Sequence, residues 1–103
     1  MKCFVLFRLK PGVTPEQYEE WFREINVPAN DTLTTTRDYR VWRVSGAMEG
    51  EPTFEYLEEM ELNDRAAFED EIEASAAMAA MLEGWYARVA DQVIVFADEV
   101  AQR

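Results

Sequence analysis

The chain has 103 residues, of which 49% are hydrophobic, so its length and composition fit one globular domain (residues 1–103) with a core of its own. Its 21 acidic and 10 basic residues give a formal net charge of −11, and an acidic surface repels nucleic acid and anionic membranes. The chain lacks histidine, which excludes Ser-His-Asp and Cys-His nucleophilic systems, histidine-ligated haem and most transition-metal sites.

Other features of the composition narrow the class of protein further. The single cysteine, Cys3, excludes an internal disulfide and suits a reducing compartment. No run approaches the roughly 20 apolar residues of a membrane span, and no signal-peptide pattern precedes the first strand, so we expect a cytoplasmic protein. The four glycines are scattered, and the acidic residues show no calcium-loop spacing. We therefore expect neither a cofactor nor a metal.

The first predicted strand, residues 2–9, is apolar on both faces. One face of this period-two pattern carries Cys3, Val5, Phe7 and Leu9. Phe4 and Leu6 lie on the other face, followed by Arg8. Each apolar face must be buried by packing against another structural element. We expect helices on one side and a second copy of the chain on the other.

A strong helix start follows the first strand. Thr14 is a predicted N-cap, Pro15 suits the first helical position, and Gln17 can complete a capping box. A helical stripe then recurs at i, i+3, i+4 and i+7, formed by Tyr18, Trp21, Phe22 and Ile25. We expect Pro28 to end this helix.

The middle of the chain predicts a hairpin. Residues 29–37 are interpreted as a polar connection, and residues 38–45 are rich in the aromatic and β-branched residues of a strand. A turn at residues 46–52 leads into a third strand at 53–62. A link this short makes the two strands antiparallel neighbours.

The last third of the chain predicts a second helix and a final strand. Asn63 or Asp64 caps the helix, which Ser75 restarts or kinks, and Gly84 weakens it by about 1 kcal/mol relative to alanine. Helical spacing is kept by Met78, Met81, Leu82, Trp85, Tyr86 and Val89. We expect both Trp85 and Tyr86 in the core. Residues 93–97 form the last predicted strand.

The element order β-α-β-β-α-β predicts an α+β, ferredoxin-like fold, with both helices on one face of a four-stranded antiparallel sheet. The second strand is expected at an edge. The opposite sheet face carries too much apolar surface to remain in water. Two such sheets facing each other close into a dimeric α+β barrel with a cavity, so we expect a homodimer through the helix-free sheet face.

Candidate chemistry is concentrated on the second and third strands. Arg40 and Trp42 share one face of the second strand, whereas Tyr39, Val41 and Arg43 share the other. The third strand places on one face Phe54, Tyr56, Glu58 and Met60, and on the other Glu55, Leu57, Glu59 and Glu61. A carboxyl group among aromatic residues in a dry cavity has a raised pKa, as a general acid or base needs.

Two points stay open at this stage. One alternative is that Arg8, Arg40 and Arg43 hold a ligand anion, and the other is that they pair with glutamates of the third strand. A bulge at Glu58 and Glu59 would exchange the faces of all later residues, so strand parity leaves open which glutamate points inward.

The sequence resembles the RedY/HapK-like proteins of the dimeric α+β barrel superfamily. The resemblance is carried by residues 4–13, 39–44, 54–58 and 93–100, and by the helix that contains Tyr18 and Trp21. Members of this family are associated with pathways that make pyrrole- or indole-derived pigments. The wider superfamily includes cofactor-independent monooxygenases, muconolactone isomerases and EthD-like proteins, which place ligands inside the barrel. The resemblance implies Tyr56 and Glu58 as cavity residues, with Trp42 on the neighbouring strand.

Two hypotheses follow. In the first, the chain is a small cofactor-independent enzyme or pathway accessory protein acting on an aromatic, pyrrole- or polyketide-like small molecule. Glu58 or Glu59 is then the acid or base, Tyr56 and Arg40 position the substrate, and Arg8 is placed to meet it. In the second, the barrel is a non-catalytic binding or interaction module. A cavity with a buried carboxyl group favours the first, and one filled by Trp42, Phe4 and Leu6 favours the second.

Overall fold

A computed structural model describes every residue from 1 to 103. Its four strands are β1 (Lys2–Leu9), β2 (Thr36–Arg43), β3 (Tyr56–Leu62) and β4 (Val89–Ala97). They form one antiparallel sheet in the order β2-β3-β1-β4, with helical segments between β1 and β2 and between β3 and β4. The predicted ferredoxin-like arrangement is confirmed, and β2 is an edge strand as expected.

The two faces of the sheet differ in burial. The helix-facing side of the central strands is buried and carries Cys3, Val5, Phe7 and Leu9 from β1 and Tyr56, Glu58, Met60 and Leu62 from β3. The other side, which we call the open face, carries Phe4, Leu6, Trp42, Leu57, Val93 and Val95. The predicted facing of β1 is therefore confirmed, and no helix covers the open face within this chain.

The first helical region contains a π-helical turn. It runs as α1 (Pro15–Trp21), the π-turn (Phe22–Asn26) and α2 (Val27–Asn30). The Thr14 capping box is present as predicted, whereas the prediction that Pro28 ends the helix is wrong. In the π-turn, the Val27 N–H donates to the carbonyl of Phe22, five residues earlier. Proline has no N–H to place in the helical hydrogen-bond ladder, and the wider turn makes room for its ring.

The π-turn also changes which side chains face the core. A π-turn adds one residue to a helical turn, so every later position is rotated relative to a regular α-helix. Ile25, predicted in the apolar stripe, is 47% exposed, and Asn26 takes the inward position at 1% exposure. A polar side chain therefore enters the core where the regular spacing predicts an apolar one.

The second helical region consists of α3 (Arg65–Ala74) and α4 (Ala76–Arg88). Asp64 accepts a hydrogen bond from the Ala67 N–H and caps α3, and Ser75 separates the two helices by capping α4. Both predictions are confirmed. Trp85 is buried, but Tyr86 is 56% exposed, so its assignment to the core is wrong. Consecutive helical residues point about 100° apart, and only one of this pair faces the sheet.

The edge strands begin earlier than predicted, β2 at Thr36 and β4 at Val89. Each contains a residue with positive φ where the pairing register shifts, Asp38 at 56° and Asp91 at 53°. Aspartate tolerates this left-handed conformation better than most residues, which suits it to such β-bulges. The bulge at Asp91 interrupts the alternation of side chains along β4. The sequence pattern therefore predicts only residues 93–97 and omits the part of the strand before the bulge.

Gly84 allows α4 to approach Trp21 closely. A Cβ atom at residue 84 would lie 2.7 Å from the Trp21 Nε1 atom, which is closer than real Cβ contacts. Arg88 covers the same indole ring at 4.9 Å and donates a hydrogen bond to the Gly84 carbonyl at 3.0 Å. The glycine that weakens the isolated helix is therefore required by the packing of the folded protein.

Gly84→Ala should destabilise the protein by about 1–3 kcal/mol, because the added methyl group overpacks the contact with Trp21. In an unobstructed helix the same change would stabilise by about 1 kcal/mol. Urea unfolding followed by circular dichroism measures the difference. Ala80→Gly, at an exposed position of α4, is the control for helix propensity alone. A Gly84→Ala variant more stable than the wild type would contradict the packing argument.

Candidate functional site

A cavity of about 130 Å³ lies between the sheet and the helices. Twelve of its sixteen lining residues are hydrophobic, and the other four are Asn26, Asn30, Glu58 and Gln92. We call it the Glu58 cavity. Tyr86 and Ile94 line it and are also exposed, so it opens between α4 and β4. An engineered apolar cavity of about 150 Å³ holds benzene. The Glu58 cavity is slightly smaller and has room for one five-membered ring.

Glu58 is buried in this cavity without a hydrogen-bond partner for its Oε1 atom. The residue is 4% exposed, and its cross-strand neighbours are Val5 on β1 and Val41 on β2. Neither valine offers a polar group to the carboxyl group. Burial raises the pKa of Glu58 from 4.5 to about 8, because a desolvated carboxylate is unfavourable. At neutral pH the cavity therefore contains mainly a neutral carboxylic acid.

A second unpartnered polar atom lies in the same part of the core. The Tyr18 hydroxyl is buried and makes no hydrogen bond. Burial, and then the negative charge of Glu58, raise the pKa of Tyr18. Burial followed by the same charge raises the pKa of the Cys3 thiol to about 11. Both groups are therefore protonated at neutral pH, and neither supplies a counter-charge to Glu58.

Asn26 and Asn30 bring a polar network to the cavity. The Tyr39 hydroxyl donates to Asn26 Oδ1 at 2.9 Å, and Asn30 Nδ2 donates to the same oxygen at 2.7 Å and to the Asn26 carbonyl at 2.9 Å. The Asn26 side-chain oxygen thus accepts two hydrogen bonds. Elsewhere in the cavity lining, Trp85 Nε1 donates a hydrogen bond to Gln92 Oε1 at 2.7 Å.

Sequence reasoning missed these amide residues. The inward position of Asn26 depends on the π-turn, and regular helical spacing assigns the core position to its neighbour Ile25. The available signal was the polar pair Asn26 and Asn30 flanking Pro28, since two amides four residues apart share a helix face.

Of the six predicted site residues, only Glu58 lines this cavity. Tyr56 lies next to it on the helix-facing side of β3, but its hydroxyl donates to Glu19 Oε2 at 2.7 Å. Arg43 also donates to Glu19 Oε2, and Arg23 lies 3.7 Å from the other Glu19 oxygen. Tyr56 therefore borders a separate cleft beside α1. Of the two alternatives for Arg43, pairing with a glutamate of β3 is not observed, because its partner is Glu19 of α1.

This second cluster is internally satisfied. The hydrogen bond from Tyr56, and then those from Arg43, lower the pKa of Glu19. Desolvation and the bond to Glu19 raise the pKa of Tyr56. Glu19 is thus a charged acceptor held by its neighbours, and Tyr56 is held protonated.

The remaining four predicted residues, Arg8, Arg40, Trp42 and Glu59, lie on the open face. Trp42 Nε1 donates to Glu59 Oε1 at 2.9 Å, and Arg8 Nε donates to the Thr53 carbonyl at 2.7 Å. Arg40 is opposite Glu59 in the register. The hydrogen bond from Trp42, and then that from Lys2, lower the pKa of Glu59.

The choice between the two glutamates is resolved by this geometry. The pairing of β1 with β3 passes residues 58 and 59 without a bulge, so Glu58 faces the helices and Glu59 faces away. The structure therefore does not bring the six residues together within one chain. It also contains no cluster of three or more His, Cys, Asp or Glu side chains placed to hold a metal ion. None of its helices combines the length and the apolar character needed to cross a membrane.

The family profile described as "REDY-like protein HapK" matches residues 1–100. The chain belongs to this family. HapK from Hahella chejuensis is 15% identical in sequence and superposes with a TM-score of 0.74. The match covers 100% of this chain and 98% of the HapK chain. A protein of Arabidopsis thaliana is 16% identical, with coverages of 99% and 97% and a TM-score of 0.78.

A protein of Thermobifida fusca, described as dimeric and ferredoxin-like, is 20% identical, with coverages of 91% and 85% and a TM-score of 0.71. At these identities the likeness shows the fold alone. No curated protein matches the chain. The residues of this HapK-family member must therefore be interpreted from their own geometry.

Glu58→Gln should change how stability depends on pH. Below about pH 4.5 Glu58 is protonated in both the folded and the unfolded chain. Between 4.5 and about 8 the unfolded chain ionises while the folded protein does not, so the wild type loses stability as pH rises. Glutamine does not titrate, so we expect the variant to gain stability relative to the wild type from about pH 4.5 to about pH 8 and to keep that gain at higher pH. Chemical denaturation at a series of pH values measures this.

Glu59→Gln is the matched control, one residue away on the exposed side of the same strand. It removes a carboxylate whose pKa is lowered, so its pH dependence should have the opposite sign. Parallel pH profiles for wild type and Glu58→Gln would contradict the burial of an unpartnered acid.

Proposed function

We propose that this HapK-family protein transfers protons to and from one ring of an aromatic, pyrrole- or polyketide-like small molecule, without a cofactor. Glu58 is the general acid and base in this proposal. The observation that supports it is the unpartnered Glu58 carboxyl group, buried in an apolar cavity of ring size, with a pKa of about 8. A pKa near the working pH is what general acid–base chemistry requires.

In this mechanism the neutral Glu58 carboxyl group gives its proton to a ring carbon or heteroatom and becomes a carboxylate. The carboxylate is unfavourable between Val5 and Val41, so it readily takes back a proton from the ligand and completes the cycle. The side-chain NH₂ group of Asn26, which lines the cavity, can orient a polar substituent. A positioned acid or base typically contributes about 10²–10⁴-fold in rate.

Hydrogen–deuterium exchange at the ring carbons of pyrrole tests the proposal. In D₂O the reaction needs only protonation of a carbon by Glu58 and removal of the original proton. We expect wild-type protein to accelerate exchange, and Glu58→Gln to lower that acceleration by about 100-fold or more. NMR spectroscopy of the pyrrole follows the rate. Glu59→Gln, with its change on the other sheet face, should keep the wild-type rate, and an unchanged rate in Glu58→Gln would overturn the assignment.

A second candidate function is a non-catalytic binding module. It is favoured by the absence of a second acid or base in the cavity, where Cys3 has a raised pKa and the Tyr39 hydroxyl is bonded to Asn26. Binding of pyrrole without acceleration of exchange would support this function over the first.

We also propose a homodimer through the open face, in the cytoplasm, where the single cysteine would stay reduced. The open face leaves three large apolar side chains in contact with water. They are Trp42, Val93 and Val95, which are 49%, 44% and 40% exposed. The charge on this surface is also unlike that of the rest of the chain. Its paired strand residues include four of the ten basic residues, Lys2, Arg8, Arg37 and Arg40, and two acidic ones, Glu59 and Glu61. Asp98 and Glu99 border this surface beside Lys2 and Phe4, so its basic and acidic residues balance.

This charge distribution favours self-association at the open face. Two copies of a chain with a net charge of −11 repel one another over most of their surfaces, and least here. Structural neighbours from Thermobifida fusca and Bacteroides fragilis are described as dimeric.

Val95→Glu should convert the dimer to a monomer, because it buries an unpaired charge in the proposed interface, opposite Phe4 of β1. Light scattering at tens of micromolar should give twice the 12.0 kDa chain mass for the wild type and the single-chain mass for the variant. Ala79→Glu, which adds the same charge at an exposed position of α4, should remain dimeric. A monomeric wild type at this concentration would contradict the interface.

A further inference from the structure

The Glu58 cavity contains an acid and no base. The other ionisable side chains that line it are Cys3, Tyr39 and Tyr86, and those packed behind it are Tyr18 and Tyr56. All of these groups are neutral when protonated and negative when ionised. No lysine or arginine lines the cavity. Any charge that develops there without a ligand is therefore negative.

We propose that the cavity selects a single-ring nitrogen base and holds it as a cation against the Glu58 carboxylate. This deepens the proposed function, on which it rests, by naming the class of ligand. The proton of the neutral Glu58 carboxyl group moves to the lone pair of a ring nitrogen, so an acid and a base become a carboxylate and a protonated heterocycle. No other reactant is needed.

Hydrogen bonding supports this class of ligand. Glu58 Oε1 is buried and accepts no bond from the protein, and its cross-strand neighbours are both valines. A protonated ring nitrogen donates a charge-assisted hydrogen bond, which is about twice as strong as a neutral one. The ligand would thus supply the donor that the fold does not.

Electrostatics oppose the alternative classes. A carboxylate or phenolate ligand would bring a negative charge into a cavity with no positive group to pair with it, and a buried unpaired charge is strongly unfavourable. The amide donors of Asn26 and Gln92 carry no net charge to offset this. The chain's net charge of −11 also attracts cations to the cavity mouth and repels anions.

Three five-membered rings of nearly the same size test the proposal. Imidazole is a base that carries a cation when protonated, pyrrole is a neutral N–H donor, and furan has no N–H group. Each fits a cavity of about 130 Å³, so differences in affinity report hydrogen bonding and charge rather than shape. NMR shifts of the Met78 and Met81 methyl groups, which line the cavity, report binding at about pH 7.

In the wild type we expect imidazole to bind at least about 10-fold more tightly than furan, with pyrrole between them. Glu58→Gln should bring imidazole within about 3-fold of furan and leave the furan affinity unchanged, which also shows that the variant is folded. Glu59→Gln should retain the imidazole preference, because it alters only the open face. This control separates the cavity from general attraction of cations to an acidic protein.

The outcomes separate the inference from the proposed function. If pyrrole and furan bind in the cavity and imidazole has no advantage, or keeps its advantage in Glu58→Gln, the selection of bases is overturned and the proposed proton transfer stands. If none of the three rings shifts the cavity methyl groups at millimolar concentration, the cavity is not a ligand site, and both proposals are overturned.

Discussion

The pairing of β1 with β3 runs without interruption from Lys2 opposite Glu61 to Phe7 opposite Tyr56. Side chains alternate strictly along both strands, so this register fixes at once which residues meet the helices and which lie on the open face. It places Phe7 against Tyr18, Tyr56 and Trp85, with ring centroids 4.7–5.4 Å apart, as the aromatic centre of the core. The same register directs the Glu58 carboxyl group inward.

The core that results is well packed at one end and polar at the other. Around Phe7 the rings contact one another closely, whereas Glu58 and the Tyr18 hydroxyl are buried without partners. Unpaired buried polar groups typically destabilise a protein by about 1–3 kcal/mol each, more when charged. A fold under selection for stability alone would replace such a glutamate with an apolar residue of similar size. Its presence beside a cavity supports the site proposed above.

Local chemistry made most of the fold predictable from the sequence. The caps at Thr14, Asp64 and Ser75 act within three residues, and strand alternation needs only near neighbours. The choice of Glu58 over Glu59 was not accessible in this way, because a single bulge would have reversed it. The pairing of Tyr56 with Glu19 was also missed, since the hydrogen bond joins residues 37 positions apart.

The misplaced helix residues have a different cause. The period of a regular α-helix assigns Ile25 to the core, and the π-turn (Phe22–Asn26) that contains Ile25 departs from that period. Local residue composition does not indicate this π-turn, because a contact with a distant residue accompanies it. The turn directs Asn26 inward, where its side-chain oxygen accepts a hydrogen bond from the Tyr39 hydroxyl on β2. The residues of the candidate site that sequence reasoning missed thus coincide with the place where helical geometry is irregular.

The π-turn has a consequence for how relatives of this chain are compared. One extra residue in a helical turn rotates every later side chain about the helix axis. Positions before the π-turn and positions after it therefore face the core with a different residue spacing. A relative with a regular α-helix here would be one residue shorter between β1 and β2, and its residue facing the cavity would align with Ile25 rather than Asn26 unless a gap were placed within Phe22–Asn26. At 15% identity such a gap is easily missed. Site residues in distant homologues should therefore be matched through superposed structures rather than by position along the chain.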